Sequence, residues 1–290
     1  MTSPSEPLPQ FLAEASRIGQ EISVTGKWIP TPKCGLFSKS PASTEMLKVW
    51  EDIRAISQTD PGLLSIEINH AVGQDAVLVH QIFKDSDAVV SYFSTTVALL
   101  MASLLKVARP DMHLVRGLDL PTAARDAIAA IQPAAVFGQY LFGYVKEDYR
   151  RPDQASSINV TAKWTCKPGD SSRLDHLKYW WQRVGTDAHS METGLVRFEA
   201  YQVDGEDALI IHETFENTAE LKFHLMKGTA KKYKKDIDQV AVPERYFFRG
   251  PVSWLIRTYS KVLRLPATYS TRASDHTRPG GSMSDGTTNA

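Results

Sequence analysis

The sequence predicts an α+β protein built from two copies of one small unit, and three observations carry that prediction. Residues 76–83 (AVLVHQIF) match residues 208–215 (ALIIHETF) at an offset of 132, which is 208 minus 76. LLSIEI (63–68) matches LVRFEA (195–200), and SVTGKW (23–28) matches NVTAKW (159–164). HLVRG ends at Gly117 and YFFRG ends at Gly250, so the match runs through both halves. A repeat of this length is one supersecondary unit used twice.

Each element of the unit has a local reason. Alternation puts Ile22, Val24, Gly26 and Trp28 on one face, with Ser23, Thr25 and Lys27 on the other, which is the period of a strand. A loop rich in Pro, Ser and Lys follows from Pro30 to Ser43, and the second copy replaces it with the tighter CKPGDSS. From Thr44, Leu47, Trp50, Ile53 and Ile56 recur about every three residues, an amphipathic helix that Thr59–Asp60–Pro61–Gly62 ends. Strand two covers Leu63–Asn69, and a turn at Gly73–Gln74–Asp75 leads to strand three at Ala76–Phe83. Asp204–Gly205–Glu206–Asp207 is the same hairpin turn in the second copy. Ser86 or Asp87 caps a second helix beginning near Ala88, and Met112–Arg116 is the fourth strand. The order β-α-β-β-α-β is the ferredoxin-like split unit.

The chain therefore divides into an arm (1–20), a first unit (21–117), an apolar and helical interdomain linker (118–156) and a second unit (157–250). An amphipathic segment (251–269) and a tail expected to be disordered (270–290) follow. The two second helices diverge, since VALLMASLL (97–105) aligns with TAKKYKKDI (229–237). The apolar version needs cover, from the 118–150 segment or from a second copy of the chain.

Lys plus Arg equals Asp plus Glu at 33 each, which gives no reason to expect nucleic acid as a partner. Two cysteines, Cys34 and Cys166, are too few for a disulfide scaffold or a thiolate metal site. No His-x-His or His-Glu-x-x-His spacing and no glycine-rich phosphate loop is present, so neither metal nor dinucleotide is expected. MTSPSEPLPQ lacks the pattern of a secretory signal, and the expected location is cytoplasmic. A peripheral membrane alternative rests on three stretches: the uncharged run 127–145, the basic amphipathic run 251–265, and Lys227, Lys231, Lys232, Lys234 and Lys235.

IIHETFENTAELKFHL (210–225) resembles the antibiotic biosynthesis monooxygenase-like family of the dimeric α/β-barrel superfamily. Its strand ending in Glu-x-aromatic, then a polar turn, an Ala and a helical His, is matched by Glu213, Phe215, Ala219 and His224. Gly194, Glu199 and Tyr201 resemble the hallmark of the preceding strand, while the first copy departs with Gln81 and Tyr92 at the positions of Glu213 and His224. The resemblance implies two units pairing their sheets into one barrel, here an intrachain pseudo-dimer. It also implies a pocket between sheet and helices, and cofactor-independent oxidation of an aromatic, polyketide-like phenol. The superfamily also holds isomerases, cyclases, haem-degrading enzymes and proteins without known chemistry. Haem-binding relatives use a strand Asn, where this chain has Lys27 and Lys163, which counts against haem.

Arg197, Glu199, His212, Glu213 and His224 are the candidate catalytic groups. An imidazole or carboxylate would move a proton, and an arginine would hold a developing oxyanion. Trp164, Lys163, Phe198, Tyr201 and Phe215 are the candidate binding wall, aromatics for a flat ring and an ammonium for an anion. Alternation separates His212 from Glu213 and Phe198 from Glu199, so these ten residues cannot share one cavity. The structural alternatives are a barrel histidine for His212, aligned with His80, and a surface ion pair for Arg197–Glu199.

Overall fold

The computed structural model describes residues 20–31, 42–146, 156–169, 172–250, 257 and 266–270. The arm, most of the 251–265 run and the tail lie outside the described residues. The first unit comprises β1 (Ile22–Pro30), α1 (Ala42–Ser57), β2 (Leu63–His70) and β3 (Val77–Phe83). A second helix follows in two pieces, α2 (Ser86–Ser91) and α3 (Ala98–Val107), and then β4 (Ala108–Gly117). The second unit repeats this with β6 (Ile158–Cys166), α5 (Ser172–Met191), β7 (Leu195–Val203), β8 (Ala208–Phe215), α6 (Thr218–Met226), α7 (Thr229–Val240) and β9 (Ala241–Arg249). Between the units lie α4 (Thr122–Ala129) and β5 (Ala135–Val145), and β10 (Ala267–Ser270) follows the second.

One ten-stranded sheet runs in the order β10-β9-β6-β8-β7-β5-β4-β1-β3-β2. Within it each unit keeps the order fourth, first, third, second. The matched hairpin turns place Gly73 and Gly205 at the same φ of +71°, a left-handed backbone that glycine adopts without a Cβ penalty. The sheet curls until its two ends meet: the Val72 amide donates to the Tyr269 carbonyl at 2.8 Å. This is an α/β-barrel of the dimeric type, closed within one chain.

Segment 118–156 contributes more than the apolar linker expected of it. Its uncharged run spans the end of α4, a turn and all of β5, which pairs parallel with β4 and antiparallel with β7. Gly138 and Gly143 make the β7 contact possible. A Cβ at Gly138 would lie 2.8 Å from the Tyr201 Cβ, and one at Gly143 would lie 2.4 Å from the Phe198 carbonyl oxygen. An apolar run with glycines at such spacing is here a strand paired on both edges, which hydropathy alone does not separate from a helix. Among the described residues no single helix is long and apolar enough to cross a membrane, although α2 through α3, bent by 69°, passes by length and composition together.

Cover for the apolar second helix comes from two sources. Ala124 and Ile128 of α4 join the cluster that holds Val89, Val97, Met101 and Leu104, and α3 lies on α1. Leu99 nevertheless stays 85% exposed, so the linker covers only part of that helix. The helix also breaks at Tyr92–Thr96, a π-turn, where the sequence reading expects one continuous element.

The barrel interior joins an apolar cluster, with Leu78, Leu114, Ile210 and Phe247, to a buried polar network. Glu199 of β7 is wholly buried and accepts from Arg116 of β4 at 2.6 Å, Arg197 Nε at 2.6 Å and the Tyr201 hydroxyl at 2.9 Å. Burial opposes its charge, yet Arg197 and Arg116 outweigh that and hold the carboxyl below its ordinary range. The pseudo-symmetric pair is Arg249 of β9 with Glu67 of β2 at 3.1 Å. Each pair joins one unit to the other. Arg116→Ala leaves Glu199 buried with one cation fewer, and should cost about 3 kcal/mol in urea unfolding. Arg249→Ala should cost about 1 kcal/mol, because Glu67 keeps contact with solvent.

Candidate functional site

Alternation along β6, β7 and β8 sends side chains to two separate places, and the structure divides the candidates between them. His212, Arg197, Glu199 and Tyr201 face the barrel interior. The Thr161 hydroxyl lies 2.9 Å from His212 Nδ1, and Thr25 lies 2.8 Å from His80 Nδ1 in the first unit. The strand registers explain this, since Thr161 and Glu199 are the direct partners of His212, and Thr25 and Glu67 those of His80. Burial, then the surrounding arginines, pushes both imidazoles well below the ordinary histidine range, so both are neutral. Lys163 is on the same side, near the barrel's end, with Glu206 at 2.6 Å and Glu244 at 3.0 Å.

Glu213, Phe215, Phe198 and Trp164 face the helices instead, where α6 brings His224. A cavity of about 60 Å³ lies there between sheet and helices. Trp164, Trp181, Tyr246 and Phe248 form its aromatic wall, Leu221, Leu225 and Ile237 its helical side, and Glu213 and His224 its polar end. Trp164 and Trp181 meet edge to face at 5.4 Å, and Phe215 packs 5.1 Å from the His224 ring. Phe198 lies behind the wall, stacked at 6.3 Å on Trp181.

The polar end is a buried three-residue chain. His224 Nδ1 is 2.8 Å from Glu192 Oε2, and its Nε2 is 3.2 Å from Glu213 Oε1. The second contact is an ion pair outside good hydrogen-bond geometry, so the buried Glu213 Oε1 is held by charge alone, and the Glu213 side chain lines the cavity. Burial works against charge on His224, but Glu213 and Glu192 together outweigh it and raise the imidazole to about 10. At neutral pH His224 is therefore a cation between two carboxylates. It is suited to donate and to stabilise negative charge, and Glu213 is the group placed to accept a proton.

Glu192 is the residue that sequence reading misses. It sits just past α5, and its Oε1 accepts from the Thr229 amide at 2.6 Å and hydroxyl at 2.7 Å, which caps α7. One carboxylate thus fixes the end of α5, the imidazole on α6 and the start of α7. No local pattern marks a buried acid between a helix and a strand. Trp181, Tyr246 and Phe248 are also added to the site. Trp181 was legible as an inward helix residue, and the other two as apolar strand positions.

The first unit has the same frame with different chemistry. Trp28 and Trp50 repeat the edge-to-face pair at 5.5 Å. Gln81 donates to the Tyr92 hydroxyl at 3.0 Å, and that hydroxyl lies 2.8 Å from Ser57 Oγ. Tyr92, Phe83 and Phe93 pack on one another in this space, each at most 2% exposed. His113 sits against Trp28 at 5.3 Å, in the volume that a side chain on Gly26 would need. Among the described residues, the neutral Gln81–Tyr92–Ser57 chain stands where the second unit has its charged one. No group of three or more His, Cys, Asp or Glu suited to a metal occurs among the described residues.

Strand order and site together define a fused, dimeric-type α/β-barrel protein with one polar-ended cavity. Solved structures to which the chain is similar include a “putative monooxygenase” from Lactobacillus acidophilus NCFM, with a TM-score of 0.45 and 11% identity over 79% of this chain and 91% of that one. Another of the same description, from Fusobacterium nucleatum, has a TM-score of 0.47 and 11% identity over 78% and 90%. An anthrone oxidase-like protein has 0.45 and 9% over 83% and 92%. No sequence-defined family and no curated protein matches the chain. At these identities the likeness says nothing of substrate or reaction.

The site predicts an unusual titration. The free imidazole value is 6.5 and the folded one about 10, so the His224 contribution to stability is complete below about pH 6.5 and is lost as pH rises through about 10. Glu192 is depressed instead: burial would raise it, His224 and Thr229 lower it, and its contribution is lost as pH falls through its folded value. The His224 ring resonances should hold still from pH 6 to 9 by NMR and move with a midpoint near 10. Glu192→Gln should bring that midpoint down.

Proposed function

We propose that the second unit binds a flat, weakly acidic aromatic molecule in the cavity between its sheet and helices, and acts as a cofactor-independent monooxygenase-like enzyme on a polyketide-like phenol. The observation that carries this reading is Glu213: a buried carboxylate that lines an aromatic cavity, ion-paired at 3.2 Å with a cationic imidazole but without a donor in good hydrogen-bond geometry among the described residues. A phenolic hydroxyl supplies the missing donor, and the indoles of Trp164 and Trp181 take the ring. Glu213 accepts the phenol proton and His224 steadies the resulting anion. The electron-rich anion then reacts with oxygen. One oxygen atom becomes a second, quinone carbonyl on a ring carbon that gives up its single hydrogen, and the other oxygen leaves as water with that hydrogen and the phenol proton. Arg197, Glu199, Tyr201, His212 and Lys163 act in this reading through the barrel interior that supports β6, β7 and β8, and Phe198 through packing behind the wall.

A second reading, a binding module without turnover, is favoured by the cavity's size. At about 60 Å³ it takes a few waters, and a polycyclic phenol enters only as α6 and α7 move outward. The two readings separate in one experiment. Purified protein is screened with polycyclic phenols without added cofactor, following oxygen uptake and product mass. The enzyme reading expects uptake that falls about 100-fold in Glu213→Gln, the usual contribution of a placed base. Binding seen by tryptophan quenching with no uptake supports the module, and no binding across the panel ends both.

A further inference from the structure

The cavity's outer wall continues into a second feature. Lys234 of α7 lines the cavity and also an open groove that it forms with Lys167, Lys231, Lys235, Asp238 and Gln239. Four lysines against one aspartate give the groove a formal charge of +3 (4 minus 1), in a chain whose net charge is zero.

Helical geometry explains the sharing. Ala230, Lys234 and Ile237 fall on the side of α7 that meets the cavity, and Lys231, Lys235 and Asp238 lie one step around it. Lys167 comes from a different element, just beyond β6. Its ammonium donates to the Asp238 main-chain carbonyl, and the Lys234 ammonium pairs with the Asp238 carboxylate. Asp238 thus holds two ammonium groups beside the cavity, while Lys231 and Lys235 are exposed. A solvated helix face accounts for exposed lysines. It does not call for a lysine from another element, nor for one shared with an apolar cavity.

We propose that the ligand of the second unit carries an anionic group, a carboxylate or phosphate, which the Lys167, Lys231, Lys234 and Lys235 groove holds while its flat apolar body enters the cavity. This rests on the reading of the cavity as a ligand site. Charge fixes the ligand's direction. Glu213 at the inner end repels an anion and welcomes a neutral hydroxyl, whereas the lysines favour the anion at the mouth.

Two dyes with one aromatic body test this: anilinonaphthalene sulfonate, which is anionic, and N-phenylnaphthylamine, which is neutral. Both are titrated into the full chain by fluorescence, with Ala230→Trp as a variant that fills the cavity from the helix surface. The expected result is tighter binding of the sulfonate, and loss of both dyes in Ala230→Trp. Lys231→Glu with Lys235→Glu should weaken the sulfonate about tenfold at low salt and leave the neutral dye unchanged, these exposed charges being screened by added salt. Equal affinity for the two dyes, or an equal effect of the lysine variants on both, overturns the proposal while leaving the cavity reading intact. Binding of both dyes that survives Ala230→Trp overturns the cavity reading as well. Sedimentation with phosphatidylserine vesicles is the final arm. Vesicle binding that the lysine variants abolish, with sulfonate affinity unmoved, assigns the groove to a membrane surface and overturns the proposal.

Discussion

Glu199 is the point on which the barrel depends. It is wholly buried, and three donors from two units converge on it. A lone carboxylate there would cost more than most single interactions return, so β4, β5 and β7 must be assembled around it before the charge is tolerable. The requirement ties the first unit to the second at the seam where β5 is inserted. At the other seam, Arg249 and Glu67 repeat the arrangement nearer to solvent.

The same strands do two different jobs because their side chains alternate. One face of β6, β7 and β8 carries threonine, arginine, glutamate and histidine into the polar part of the barrel interior. The other carries tryptophan, phenylalanine and a single glutamate toward the helices. Inside the barrel, Glu199 and the Nδ1 atoms of His80 and His212 find partners on their own or neighbouring strands. Glu213 and His224 are paired with each other at 3.2 Å and still meet open space.

Much of the fold was legible because its period was. The strand alternation at Ile22–Trp28, the hairpin glycines at 73 and 205 and the helix face of Leu47, Trp50 and Ile53 are local properties that tertiary contacts had no reason to overturn. β5 was not legible as a strand, since Ala135–Val145 shows an apolar run whose meaning depends on having a neighbour on both sides. For the site, alternation separated Glu213 from His212 and Phe198 from Glu199 before any coordinates. The resemblance brought His224 forward, although the residues that helical spacing sets beside it, Glu220 and Lys227, read as surface. What no window reveals is Glu192, whose role exists only where three helix ends converge.

A barrel made from two separate chains carries a true two-fold axis, so every substitution is made twice and both pockets change together. Joining the units removes that constraint. Glutamate and histidine at 213 and 224 stand opposite glutamine and tyrosine at 81 and 92, a difference that no homodimer can encode. One half can be spent on rigidity, with Tyr92 and Phe93 filling its interior, while the other keeps open space and charge. Inheritance then acts on the two halves as on paralogues that never part, one free to drift toward scaffold while the other keeps its charged, open cavity.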